Sequence, residues 1–316
     1  MRRLAFFLLI MLAMPAAPQA AGEKVYRLGV LAPSTAAFDL TRSFTLAKLG
    51  FSEGRNLVVD ARVGGATVMP ALARELLLAQ PDAVFTSDID GARAVHAATS
   101  SVPIVTFGHD PVRAGLAASL VRPAGNVTGV VIFAAQLDGK RLDLLHEAVP
   151  TARRVAALLQ AGWPERQDTE RELRGVAARL GLELLPVDAA GPEDYPAAFT
   201  AMRASGAQAL VIMAHPQFYA DASRLLTLAR ETGLPTVCEW AEMAHSGCLL
   251  GYGPDRPALR RRLAHYVARI FHGAAPGELP IEQPVAFKFA INLKTARALG
   301  LAISPSLLAR ADEVIE

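Results

Sequence analysis

The stretch Ile104 to Val130, IVTFGHDPVRAGLAASLVRPAGNVTGV, decides the fold. It opens on a short apolar run, Ile104 to Phe107, of the kind that forms a buried parallel strand. His109-Asp110-Pro111 then reads as a helix start, because aspartate caps free backbone N–H groups and proline suits the first helical position. The pattern predicts a helix over Val112 to Leu120, broken by the cluster Arg122 to Asn126, before a second apolar run from Val127 to Phe133. In an open α/β sheet, ligands lie beyond the carboxyl ends of the strands, where His109 and Asp110 fall. The stretch therefore reads as a binding-site wall followed by a hinge.

Outward from this stretch the same rhythm repeats. Toward the N-terminus, strands are expected at Tyr26 to Leu31 and near Leu57 and Ala83, with helices at about Ala37 to Leu49, Met69 to Ala79 and Asp90 to Ala98. Toward the C-terminus, strands begin near Val127, Val155, Glu183, Ala209 and Thr236, at steps of 28, 28, 26 and 27 residues. The helices between them are expected at Asp138 to Val149, Asp168 to Leu180, Tyr195 to Ser205 and Tyr219 to Glu231. Strands alternating with helices give parallel sheets, so the fold class is α/β with two doubly wound lobes.

After Leu249 to Pro254 the pattern continues with a long amphipathic helix to Phe271, a strand over Val285 to Phe289 and a helix over Leu293 to Leu299. Breaks near residues 123, 252 and 276 predict a three-segment hinge, which bends while resisting free rotation. The expected lobes are 24–124 plus 252–276 and 125–251 plus 277–316.

The chain has 316 residues, 52% hydrophobic and 20% charged, which excludes general disorder. Residues 1–21 read as a signal peptide: Arg2-Arg3, an apolar core of 11 residues from Leu4 to Met14, and a cleavage region ending near Ala20 or Ala21. The mature chain is thus expected to be soluble and periplasmic, without membrane insertion. Loss of Arg2 and Arg3 leaves 30 basic against 30 acidic residues, so nothing marks a nucleic-acid partner. Arg260-Arg261-Arg262 reads as a solvated helix face. Cys238 and Cys248 have no metal-ligand spacing; they read as two small buried residues more readily than as a disulfide.

Signatures of chemistry are missing. There is no G-x-G-x-x-G turn, Walker A sequence, H-E-x-x-H or G-x-S-x-G elbow. No catalytic residue, cofactor or metal is expected, and a binding function is favoured over an enzyme.

Three segments carry a family resemblance: Asp110–Val130, Lys140–Leu159 and Leu249–Ile315, the last with Gln283-Pro284, Ile291 to Ala296 and Leu299-Gly300. They resemble the ABC-transporter substrate-binding proteins of the tryptophan-binding (TrpX-like) type over essentially the whole mature chain. The resemblance implies a periplasmic-binding-protein type I fold that closes two lobes on a small molecule, with an amino acid or small aromatic compound as the expected class. It also implies an ABC permease as partner, and a monomer is expected. A binding protein for a membrane signalling receptor is the alternative, with an exported enzyme behind it. The chain departs from the family pattern at Ser87 to Asp90, Gln160 to Glu165 and Ala214 to Phe218.

Strand-end positions supply the candidate ligand contacts. Ser34 and Thr35 follow the first strand, where hydroxyl and N–H groups could hold a carboxylate. Ser87 and Asp88 follow the third, and His109 and Asp110 the fourth. Trp163 stands in a loop, placed for stacking on a ligand ring. His215 and Phe218 follow another strand, and Trp240 another still. His96, His146, His265 and His272 read as surface residues, and Asn126-Val-Thr128 as a turn at the domain crossing.

Overall fold

The computed structural model describes residues 24–33, 45–163 and 166–316. Its first sheet has five parallel strands in the order β2-β1-β3-β4-β5: β1 (Tyr26–Ala32), β2 (Leu57–Val63), β3 (Ala83–Thr86), β4 (Ile104–Gly108) and β5 (Val127–Val131). A 3-10 turn (Thr45–Leu49) and helices α1 (Met69–Leu78) and α2 (Ile89–Ala98) lie between them. Residues 34–44, the greater part of the first expected helix, lie outside the described residues, as does the expected signal peptide.

The second sheet has seven strands in the order β12-β11-β10-β9-β8-β6-β7. They are β6 (Arg154–Gln160), β7 (Glu183–Ala189), β8 (Ala209–Ile212), β9 (Thr236–Cys238), β10 (Leu250–Pro254), β11 (Phe287–Asn292) and β12 (Glu313–Ile315). Among the described residues only the β10–β11 pair is antiparallel. The helices are α3 (Ala134–Ala148), α4 (Arg166–Leu180), α5 (Tyr195–Ala204), α6 (Pro216–Ala220), α7 (Ala222–Glu231), α8 (Arg256–Phe271), α9 (Leu293–Ala298) and α10 (Pro305–Leu308). The expected helix beginning at Tyr219 is therefore two helices. Two doubly wound lobes are present, as the sequence pattern predicts.

The deciding stretch differs from expectation in two ways. No helix forms over Val112–Leu120. Asp110 does cap, accepting from the N–H groups of Val112 at 2.9 Å and Arg113 at 3.2 Å. Gly115 then takes φ +74°, and the N–H groups of Leu116 and Ala117 both return to the Pro111 carbonyl, so the chain closes one turn and stops.

The second difference is the lobe boundary. β5 pairs with β4 in the first sheet, so the crossing follows Val131 instead of residue 124. A left-handed residue at Gly129 (φ +143°) makes this pairing possible, because a Cβ there would lie 1.9 Å from the Thr106 carbonyl oxygen. β10 stays in the second sheet to Pro254, and α8 then packs against β3, β4 and β5. Residues 279–282 are stitched to β5: Thr128 Oγ1 donates to the Leu279 carbonyl at 2.7 Å and Val131 N to that of Glu282 at 2.8 Å. The chain passes between lobes three times, near residues 132, 254 and 284.

Local packing corrects several smaller expectations. Cys238 and Cys248 form a disulfide across a Cα–Cα distance of 6.4 Å. Asn126 is buried, its amide donating to the carbonyls of Thr99 and Val102 and its oxygen meeting His96 Nδ1 at 2.9 Å, so His96 is a partner in a buried turn. Among the described residues no helix is long and apolar enough to cross a membrane.

Candidate functional site

The strands of both sheets end on one cleft between the lobes, a cavity of about 290 Å³. Its walls come from the chain just beyond β3 (Ser87), β4 (His109, Asp110), β5 (Ile132, Phe133), β6 (Gln160, Trp163), β8 (Met213, His215) and β9 (Glu239, Trp240). These are the carboxyl ends of parallel strands, where a doubly wound sheet leaves a crevice. Six of the ten expected contacts line it: Ser87, His109, Asp110, Trp163, His215 and Trp240.

The other four do not. Ser34 and Thr35 lie outside the described residues. Asp88 is the N-cap of α2 and accepts from Gly91 N at 2.6 Å; burial pushes its carboxyl up to about 6. Phe218 is fully buried in the core, 6.1 Å from the Tyr195 ring, because α6 turns it away from the cleft. A strand-end position thus supplied the neighbourhood but not the side-chain direction.

Three rings from two lobes meet in the cleft. The Trp163 indole stands edge-on to His215 at a centroid distance of 4.4 Å, and His109 from the first lobe reaches the same indole at 5.0 Å. Burial, with His109 nearby, pushes His215 down to about 4, so its ring is neutral at physiological pH. Its Nδ1 accepts from Gln217 N at 3.1 Å, which fixes the ring at the start of α6. Phe85, Phe107, Ile132, Met213 and Leu263 add apolar surface.

Beneath these rings lies a buried ionic floor that the sequence pattern did not announce. Arg141 and Asp138, one turn apart on α3, form an ion pair with both side chains 2% exposed. Arg141 also donates from Nε to the Tyr252 carbonyl at 2.8 Å and from Nη2 to that of Glu239 at 3.0 Å, tying α3 to β10 and to the loop after β9. Such a pair repays its desolvation only when every donor is satisfied, and here each guanidinium nitrogen has a partner. Gly253 lets the loop settle, since a Cβ there would meet the Glu239 carbonyl oxygen at 2.0 Å. Burial pushes the Glu239 carboxyl up to about 8, against the pull of Arg141.

Arg256 and Arg260, successive turns of α8, complete the wall. Arg256 donates to Glu242 and to the Tyr219 hydroxyl, and its guanidinium lies 4.5 Å from the Tyr219 ring and 5.2 Å from Trp240. The basic run is therefore divided: Arg262 pairs with Glu282, Arg261 is exposed, and Arg260 faces the cleft. No group of His, Cys, Asp and Glu among the described residues could hold a metal.

A crevice walled by the strand ends of two lobes joined at three crossings defines a bilobal solute-binding protein of the periplasmic type I architecture. The chain belongs to the ABC transporter substrate binding proteins, whose family profile matches residues 43–315. A tyrosine-binding protein of Clostridioides difficile (strain R20291) is 22% identical over 256 residues, 80% of this chain and 73% of that protein. Two solved structures share the fold, each spanning 92% of this chain and all of theirs. One is a conserved domain protein from Vibrio cholerae, with TM-score 0.84 at 24% identity. The other is an ABC domain in complex with L-Trp from Streptococcus pneumonia, with TM-score 0.82 at 21% identity. Like its family, the protein captures a small molecule outside the cytoplasm and works with an ABC permease.

Proposed function

We propose that this protein is exported to the periplasm through its first 21 residues and acts there as a monomer that closes on a small ring-bearing solute. His109, Trp163, His215 and Trp240 contact the ring, and Ser87 and Asp110 hold polar groups at the rim. No chemical step is assigned to the site. The single observation that carries this reading is the meeting of His109 and Trp163 rings from opposite lobes on one cavity, at 5.0 Å. The names of the tyrosine-binding relative and the L-Trp complex agree with an aromatic ligand.

The mechanism is a population shift. A ligand touching both lobes favours the closed form by its differential contacts, and the permease reads that form. A thermal-shift screen of the mature protein against aromatic amino acids, aromatic acids, aliphatic amino acids, sugars and polyamines tests it. Ligand at about a hundred times its dissociation constant adds about 2.7 kcal/mol, so a true ligand stands out. The expected hit is aromatic; a response confined to sugars or polyamines overturns the ring assignment.

A further inference from the structure

Ser87 Oγ, Arg256 Nη2 and Arg260 Nε are buried in the cavity wall without a hydrogen-bond partner among the described residues. Ser87 belongs to the first sheet's strand ends, while the two arginines are one helical turn apart on α8, so the three donors come from two segments of the wall. Arg256 is the decisive member, because its side chain is only 6% exposed yet one guanidinium nitrogen has nothing to bind. A buried donor left unsatisfied costs free energy that a ligand acceptor recovers.

Of the carboxylates lining the cavity, Asp168 pairs with Arg113 and Arg171, and Glu172 lies exposed on α4. Asp138 is committed to Arg141, and Asp110 to the backbone of Val112 and Arg113. Glu239, pushed up to about 8 by burial, is mostly protonated at physiological pH and is a weak partner for an ammonium group. Glu242, which pairs with Arg256, compensates one of the two guanidinium charges. Among the described residues Arg260 has no carboxylate partner.

We infer that Arg256, Arg260 and Ser87 form a carboxylate subsite, and that the solute is an aromatic acid without an α-ammonium group. This deepens the ring-binding reading above and rests on it. The carboxylate takes the free edge of Arg260 and the Nη2 of Arg256, with the Ser87 hydroxyl as a third donor. The aromatic part lies against Trp163 and Trp240. Hydrogen bonds between charged partners are about twice as strong as neutral ones, so this subsite selects the ionised acid over its neutral isostere.

The test is calorimetric titration of the mature protein with phenylacetate, indole-3-acetate and 3,4-dihydroxybenzoate, each beside its amide, and with L-Trp and L-Tyr. The expected result is binding of at least one acid about tenfold or more tighter than its amide and than the amino acids, the margin of one charge-assisted hydrogen bond. Arg260→Gln then weakens that acid about tenfold and leaves the amide within about twofold, while Arg260→Lys recovers part of the loss. Arg260 Nε has no hydrogen-bond partner among the described residues, so an unchanged melting temperature of the free variant certifies its fold. Amides or zwitterionic amino acids binding as tightly as the acids, or an Arg260→Gln affinity equal to wild type, overturns the carboxylate subsite and leaves the ring-binding reading standing. Failure of every aromatic probe, charged or neutral, overturns both.

Discussion

The His109 ring of the first lobe lies 5.0 Å from the Trp163 indole of the second, tilted by 45°. The two residues come from different sheets and share one cavity, so opening the lobes must separate them. Their contact holds the indole against His215 and leaves it partly exposed.

Trp163 is therefore expected to report closure and to contribute to it. Trp163→Ala should weaken the aromatic ligand about tenfold, since a ring pair adds roughly 0.5–1.5 kcal/mol beyond the area it buries. The melting temperature of the free protein should stay within a few degrees, because the residue sits in a loop. Titration calorimetry checks the first expectation and a thermal melt the second; an unchanged affinity removes Trp163 from the site.

Glu239 predicts a pH dependence of stability. Its carboxyl titrates near 8 in the folded protein, above its ordinary value of 4.5, because burial penalises the charge. Between those values the folded form keeps a proton that the unfolded chain has lost, so stability falls as pH rises through that window and levels off beyond it. Glu239→Gln removes the titration. The variant should melt above wild type at pH 8.5 and lose that advantage near pH 4.5, in paired thermal melts. Parallel melting curves at all pH values would exclude the assignment.

Arg113, beyond the end of β4, pairs with Asp168 on α4, which also binds Arg171. This bridge spans the cleft mouth between the lobes and is exposed, so salt screens it. Arg113→Ala should enlarge the radius of gyration of the free protein slightly in small-angle scattering at low salt. Raising the ionic strength should erase the difference between variant and wild type. A scattering profile identical at both ionic strengths would show that the bridge does not bias closure.

How much was readable in the sequence follows from what each residue needs. The strand rhythm fixed both sheets because parallel strands buried on two faces must be continuous apolar runs, as at Val155 to Leu159. The cleft side of each strand end followed from topology, which is why Ser87, His109 and Trp163 were found. Side-chain direction did not follow: Phe218 and Asp88 occupy strand ends yet point elsewhere, because one closes the core and the other caps α2. Arg141 and Asp138 were hidden for another reason. In sequence they look like an exposed i,i+3 pair, and only the Tyr252 and Glu239 carbonyls, 111 and 98 residues away, make them buried. Arg260 was masked by its neighbours, since a run of three arginines has the composition of a solvated face.

The Cys238–Cys248 disulfide joins residues 10 apart and anchors the start of β10 to the end of β9, directly before Glu239 and Trp240. Both cysteines are fully buried, so the bridge supports the loop carrying two cavity residues. Closing a short loop stabilises a fold by about 2–4 kcal/mol, chiefly through the unfolded chain. Cys238→Ser with Cys248→Ser should therefore lower the melting temperature by several degrees and weaken ligand binding, because the Glu239–Trp240 loop loses an anchor near its root. A reducing agent should reproduce the thermal effect only after partial unfolding, since neither sulfur is exposed to a thiolate in the folded state. The measurement is a thermal melt and a titration of the double variant beside wild type. A variant with lowered melting temperature but unaltered affinity would confine the bridge to stability, whereas a joint loss assigns it the positioning of the cleft wall.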